Sequence, residues 1–92
     1  MSRVALGFVE TRGNTGALNA IDAMLKTANV ELVKRVEIGG AYVTAIVSGE
    51  VGAVRSSIEA GAEAAAKVGE LISTNIIPSA HEEVFELIGI EI

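Results

Sequence analysis

The chain has 92 residues, of which 50% are hydrophobic, and it carries a net charge of −5. This length fits one domain, 1–92, and so many apolar residues in a short chain predict an oligomer that buries part of them between copies. One Tyr, two Phe and an acidic balance oppose nucleic-acid binding, while the lack of Cys excludes disulfides and thiolate metal sites. No apolar run approaches the roughly 20 residues of a membrane span, and no signal peptide is recognisable, so the sequence predicts a cytoplasmic protein outside the membrane.

The first predicted elements are a strand and a helix. Alternating apolar residues over 3–10 predict a strand that ends before Thr11, and a helix follows over about 14–28. Asn14 or Thr15 is the expected N-terminal cap, and Asn29 the expected left-handed C-terminal cap. The spacing predicts a buried helix face made of Leu18, Ile21, Leu25 and Ala28.

A β-hairpin is predicted next, with strands over 30–36 and 42–47 around the pair Gly39-Gly40. Two glycines permit the positive φ angles of a two-residue hairpin turn. Turn tips usually carry Asn, Asp or Ser, whereas this one is nearly free of side chains. We therefore expect a ligand, a partner chain or a passage to lie close to this backbone.

The second half repeats the pattern of strand, helix and strand. Glu50 is expected at the start of a helix over about 51–68, and a strand over 71–77 ends at Pro78. A short terminal helix is predicted over 81–88. The second helix has a predicted buried stripe made of Val51, Val54, Ile58, Ala62 and Ala65. It also has a stripe of small residues that permits close approach of another backbone, made of Ala53, Ser57, Ala60, Gly61 and Ala64.

The order β-α-β-β-α-β predicts an α+β, ferredoxin-like split βαβ fold. It has a four-stranded antiparallel sheet, two helices on one face and a short C-terminal helix. Gly13-x-x-Gly16 and Gly49-x-x-Gly52 each open a helix after a strand, which indicates pseudo-symmetry of the two halves. The strands carry apolar residues on both faces, so we expect neighbouring copies to cover the face without helices.

Catalytic chemistry is not indicated. His81 is the only histidine, which leaves a metal site short of ligands, and its simplest interpretation is a first-turn residue of the terminal helix. Neither glycine pair is followed by the Lys-Ser/Thr of a phosphate-binding loop. Acylphosphatases and metal chaperones share this fold class, but the donor-rich loop of the former and the Cys-x-x-Cys of the latter are missing. We predict a non-enzyme with no cofactor and no metal.

Several segments in order resemble one family along nearly the whole chain. They are ALGFVETRG at 5–13, AMLKTANV at 23–30, IGG at 38–40, VSGEVGAV at 47–54 and IIPSAH at 76–81. The chain resembles the single-domain hexameric shell proteins of bacterial microcompartments, which tile the walls of polyhedral organelles within the cytoplasm.

The resemblance implies a structural protein whose homohexamers lie side by side with other shell hexamers and shell proteins. It implies a central pore for small polar metabolites, lined by Glu37, Ile38, Gly39, Gly40 and Ala41. It also implies contacts between hexamer edges through Lys26, Asn29, Ser79 and His81, with Lys26 packed against its counterpart across a twofold axis.

Three residues depart from the family pattern. Ser79 stands where relatives commonly have an arginine, so edge contacts are expected to be weaker or made differently. Glu37 stands where relatives often have a lysine, which predicts an acidic approach to the pore. Gly40 replaces a more frequent serine and leaves backbone N–H groups as the main polar lining. The alternative hypothesis is a small-molecule-binding or signalling module of the same fold, for example a trimer with ligand at the subunit interfaces.

Overall fold

The computed structural model describes residues 4–81 together with residues 84 and 87. Its elements are β1 (Ala5–Arg12), α1 (Asn14–Thr27), β2 (Glu31–Ile38), β3 (Tyr42–Gly49), α2 (Val51–Lys67) and β4 (Leu71–Ile77). The strands form one antiparallel sheet in the order β2-β3-β1-β4, with both helices on one face. The predicted α+β fold is confirmed. The predicted terminal helix over 81–88 lies largely outside the described residues.

Strand β1 continues two residues past its predicted end because Thr11 and Arg12 are paired on both sides. Thr11 lies opposite Val43 of β3, and its buried hydroxyl donates to the carbonyl of Gly13 at 3.1 Å. The backbone N–H of Arg12 donates to the carbonyl of Glu70 at 2.9 Å. These bonds satisfy polar groups that a break at Thr11 would leave without partners.

The predicted buried face of α1 is wrong in part. Leu18 and Leu25 are 53% and 44% exposed, and the helix instead buries Gly16, Ala17, Ala20 and Met24. The cause is the close approach of α2: a Cβ placed on Gly61 would lie 2.7 Å from Met24 Cγ. Gly61, in the small-residue stripe of α2, therefore makes room for Met24 and for the backbone at Ala20, while the leucines of α1 stay exposed.

The helix caps differ between the two halves. Gly13 is the N-cap of α1 and makes no side-chain capping bond, so the prediction of Asn14 or Thr15 was wrong. The helix leaves its last turn through an extended Ala28, without the left-handed Asn29 that was expected. At α2, Glu50 is the N-cap, and its carboxylate accepts from the N–H groups of residues 52 and 53 at 2.9 and 3.2 Å. These two bonds hold the pKa of Glu50 below its ordinary value.

Apolar side chains fill both faces of the sheet. Under the helices the core contains Ala5, Val9, Ala20, Met24, Val30, Ala45, Val47, Val54, Ile58 and Ala65. On the other face Leu6 and Ile46 are buried together with Ala80, and Val84 packs against them. The N–H of Ala80 donates to the carbonyl of Val4 at 2.9 Å. Part of the cover that we expected from neighbouring copies thus comes from the segment after Pro78.

Candidate functional site

The hairpin between β2 and β3 has a three-residue tip, residues 39–41. The strands pair as far as Ile38 and Tyr42, and the left-handed residues are Gly40 and Ala41, with φ angles of 80° and 68°. The predicted two-residue turn over Gly39-Gly40 was therefore wrong. The three-residue loop has its two positive φ angles at Gly40 and Ala41, so one of them falls on an alanine and not on a glycine.

One backbone hydrogen bond attaches this tip to the start of α1. The N–H of Gly13 donates to the carbonyl of Ala41 at 2.6 Å. A left-handed alanine costs about 1–2 kcal/mol relative to a right-handed one, so the bond offsets conformational strain at Ala41. The tip is thereby held against the β1–α1 junction and is not a free loop.

The two tip glycines differ in what a side chain would meet. A Cβ on Gly39 would find no atom within 4 Å, whereas a Cβ on Gly40 would lie 3.4 Å from the ring of Tyr42. Gly40 also has the positive φ that disfavours other residues. Gly39 is therefore the tip position that accepts a side chain without strain, and that side chain would project into open space.

A polar cluster stands beside the tip. Arg35 Nη2 lies 2.7 Å from Glu37 Oε1 and also donates to Asn14 Oδ1. Glu37 and Asn14 line an open depression of about 480 Å³, together with Gly39, Ala41, Tyr42 and Val43. The depression thus extends from the tip to the first residue of α1, and three of the predicted pore residues line it.

The β1–α1 junction beside the tip is filled by Glu70. A Cβ on Gly16 would lie 2.8 Å from Glu70 Cβ and 2.9 Å from its Oε1, and a Cβ on Gly13 would lie 2.5 Å from its Oε2. Glu70 Oε1 is buried and accepts no hydrogen bond from the part of the chain that the structure describes. The glycines of Gly13-x-x-Gly16 thus make room for a carboxylate of this chain, which occupies the space a bound anion would need.

The predicted edge residues lie at the other end of the sheet. Asn29 packs its backbone oxygen against Gly49, which pairs with Ala5 at the start of β1, and Ala80 is bonded to Val4 beside it. We call this region the rim end; its predicted contact residues, all exposed, are Lys26, Asn29, Ser79 and His81. The Lys26 side chain is 73% exposed, and its Nζ lies 2.9 Å from Asp22 Oδ2, which is the i, i+4 pair that the helix spacing provides.

The tip and the rim end are thus separated by the length of the strands. Tyr42, next to the tip, pairs with Arg12 at one end of β1, and Gly49 pairs with Ala5 at the other end. Eight-residue strands span roughly 25 Å at about 3.4 Å per residue. The predicted pore residues therefore lie in the last two positions of β2 and in the tip, and the predicted edge residues lie toward the opposite end of the sheet.

Two tests for other kinds of site are negative within the described residues. No group of three or more His, Cys, Asp or Glu side chains is arranged to hold a metal ion. None of the described helices is long and apolar enough to cross a membrane.

The residues that sequence reasoning missed are Arg35 and Asn14. Arg35 and Glu37 are two apart on one strand, so their side chains fall on the same face, and this period was available from the sequence. The contact between Arg35 and Asn14 could not be predicted from the sequence, because it depends on how α1 packs over the sheet.

Comparison with known proteins assigns this small α+β domain to a family. The family model described as "BMC domain" matches residues 5–80. The chain belongs to this family, and the resemblance stated from the sequence is confirmed.

Named relatives share about half of their residues with this chain. The bacterial microcompartment shell protein PduA of Citrobacter freundii is 49% identical over 88 residues, covering 96% of this chain and 95% of the relative. The carboxysome shell protein CsoS1A of Hydrogenovibrio crunogenus is 47% identical over 89 residues, covering 96% and 93%. A microcompartment protein from Desulfitobacterium hafniense has a similar crystal structure, with a TM-score of 0.82 and 31% identity; the match covers 90% of this chain and 45% of that one.

Proposed function

We propose that this chain is a structural shell protein, without enzymatic activity, of a bacterial microcompartment in the cytoplasm. Its single domain, 1–92, forms cyclic homohexamers that lie side by side with other shell hexamers and shell proteins. The tips of the six copies, each with the two preceding strand residues Glu37 and Ile38, surround a central passage for small polar metabolites. The hexamers meet at their rim ends, through Lys26, Asn29, Ser79 and His81.

The observation that carries the proposal is the 49% identity to a shell protein over 95% of that relative's length. Two structural features support it. The exposed, nearly side-chain-free tip and the rim end lie at opposite ends of the sheet, as a central passage and an outer edge require. Leu18 and Leu25 are large apolar residues exposed on α1, and contact with another copy would bury them.

The assembly is tested by the mass of the protein in solution. Light scattering of the full chain is expected to give six times the 9.5 kDa subunit mass, and electron microscopy at higher concentration is expected to show extended sheets. A stable trimer without sheets would support the alternative, a small-molecule-binding or signalling module, and a monomer would contradict both.

The edge contact is tested by Lys26→Asp. The variant replaces each of the two lysines at the proposed twofold contact, which is paired with Asp22, by a second carboxylate beside Asp22. Unbalanced negative charge then repels the two copies, so we expect intact hexamers and a loss of sheets. The variant also removes the Lys26–Asp22 ion pair, and Asp22→Ala is the matched control because it removes that pair while the lysine remains. Sheets of normal extent in Lys26→Asp, seen by electron microscopy, would rule out Lys26 as an edge contact.

The passage is tested by adding a side chain at the tip. In a single chain, a Cβ at Gly39 meets no described atom and needs no positive φ angle, so Gly39→Leu is expected to leave the thermal stability of the fold unchanged, and hexamer mass is measured as the control. The rate at which a small polar tracer crosses assembled sheets is expected to fall, and Gly39→Ser is expected to reduce it less. An unchanged rate in Gly39→Leu would contradict a passage lined by this loop.

A further inference from the structure

The carboxylate of Glu37 is held by a cation of its own strand. Arg35 and Glu37 lie on the same face of β2, and Arg35 Nη2 is 2.7 Å from Glu37 Oε1. The Glu37 side chain is 66% exposed, so it faces the surroundings of the tip, while Arg35 is 32% exposed and lies behind it. The sequence-based expectation of an acidic approach considered Glu37 without this partner.

A third residue fixes the position of the guanidinium. The amide oxygen of Asn14, the first residue of α1, accepts a hydrogen bond from the same Nη2 that contacts Glu37. An isolated surface ion pair gains little because two flexible side chains must be ordered. Here the planar guanidinium also binds Asn14 of α1. The Arg35 side chain has therefore already lost part of its conformational entropy, and the contact with Glu37 costs less.

We propose that Arg35 is a specificity-determining residue of the passage, because it neutralises Glu37 and removes a preference for cations. The inference rests on the proposed assembly of tips around a passage. Each copy then brings one guanidinium for each carboxylate, whereas a ring of unpaired carboxylates would favour cations. The chemical class admitted is accordingly small polar solutes without selection for positive charge.

The location of the pair supports this role. Glu37 and Asn14 line the same depression as Gly39 and Ala41, so the ion pair between Arg35 and Glu37 lies at the base of the tip. The neighbouring cation Lys34 pairs with Ile46 and lies on the opposite face of the sheet from Arg35, which pairs with Ala45. Lys34 therefore serves as a matched control, with the same charge on the same strand but away from the cluster.

The test measures the charge preference of assembled sheets directly. Sheets of the full chain are sealed over an aperture in a solid support with different KCl concentrations on the two sides, and the reversal potential is recorded at low ionic strength, where screening is weak. The wild type is expected to give a reversal potential near zero. Arg35→Gln is expected to shift it toward the K⁺ equilibrium potential, and Lys34→Gln is expected to leave it near the wild-type value.

The opposite change gives the opposite sign. Glu37→Gln leaves Arg35 uncompensated and is expected to shift the reversal potential toward the Cl⁻ equilibrium potential. The double variant Arg35→Gln/Glu37→Gln is expected to return to the wild-type value. Because Glu37 is exposed, Glu37→Gln is expected to fold and assemble, so the Glu37→Gln measurement can be made even if Arg35→Gln does not assemble.

The outcomes separate this inference from the proposed function. Wild-type sheets that carry no ionic current would contradict the passage itself. Conducting sheets whose reversal potential is the same in wild type, Arg35→Gln and Glu37→Gln would leave the passage in place and overturn the role of Arg35. A shift in Lys34→Gln as large as that in Arg35→Gln would also overturn it, because the effect would then be one of net charge alone.

Discussion

The two helices begin with the same spacing, Gly13-x-x-Gly16 and Gly49-x-x-Gly52, but their first turns are completed in different ways. At α2, Glu50 bends back onto its own helix and accepts two backbone N–H groups. At α1, the N-cap is Gly13, and the carboxylate beside the first turn comes from Glu70, far away in the sequence. Both starts place a carboxyl group at the positive end of a helix dipole.

The difference shows that one motif serves two purposes. Around Glu50 the contacts are local. A Cβ added at Gly52 would lie 3.1 Å from Oε2, at the flexible end of the Glu50 side chain. Around Glu70 the contacts are tertiary, and Gly16 is needed because the Cβ of Glu70 fills the space. A glycine pattern in a sequence therefore does not distinguish a helix start from a packing site.

The largest expected effect is that of Gly16→Ala. The added methyl group overlaps with Glu70, so we expect the free energy of unfolding to fall by about 1–3 kcal/mol. Thermal unfolding followed by circular dichroism would show a lower Tm. Gly52→Ala is the control at the second glycine of the other motif, where only the end of a flexible side chain must move and alanine favours the helix, so little or no loss is expected.

A double-mutant cycle attributes that cost to Glu70. In a Glu70→Ala background the methyl group has room, and Gly16→Ala is expected to cost less than in the wild type. Equal costs in the two backgrounds would show that Glu70 is not what excludes a side chain at Gly16.

A smaller effect is expected at the hairpin, where glycine is required for its backbone angle and not for space. Gly40→Ala is expected to lower the free energy of unfolding by about 1 kcal/mol because its φ is 80°. Gly39→Ala, next to it, has no positive φ and meets no atom, so its Tm is expected to match the wild type. A larger loss at Gly39 than at Gly40 would contradict the described loop conformation.

The smallest effect is a pH dependence at the locally capped helix. Because the folded-state pKa of Glu50 is lowered by the N–H groups of residues 52 and 53, its stabilisation is present above the unfolded-state pKa and is lost as the pH falls through the folded-state value. The Tm of the wild type is expected to exceed that of Glu50→Ala at pH 7, and the difference is expected to shrink below about pH 4.5, the ordinary value. A difference that is constant with pH would contradict a charged cap.

Element order was predictable from the sequence, and side-chain environment was predictable only where it depends on local contacts. Period-2 and period-3.6 patterns located every described strand and helix, and Pro78 marked the end of β4 correctly because proline cannot continue a strand ladder. The buried face of α1 could not be predicted by hydrophobicity, since Leu18 and Leu25 are exposed while Gly16, Ala17, Ala20 and Met24 are buried. Burial there is decided by the distance between helices, which depends on Gly61.

The candidate site divides in the same way. The tip was predicted from Gly39-Gly40, and the exposed Lys26 was predicted as an edge residue from the resemblance to the family. The roles of both remain proposals. The loop geometry was not found, because the strain on Ala41 is offset by a bond to Gly13, twenty-eight positions earlier in the chain. Nor was the partner of Glu37 recognised, although the alternation of side chains along β2 places Arg35 on its side.

Strand β2 has a consequence for association between copies of the chain. Among the described strands it lies at the edge of the sheet, and Leu32 on it is exposed. An exposed strand edge favours addition of a further strand and aggregation. The register of β2 shifts between Leu32 and Lys34, and a bulge of this kind bends a strand and interrupts regular pairing. We therefore expect the bulge to disfavour addition of a further strand beside Leu32.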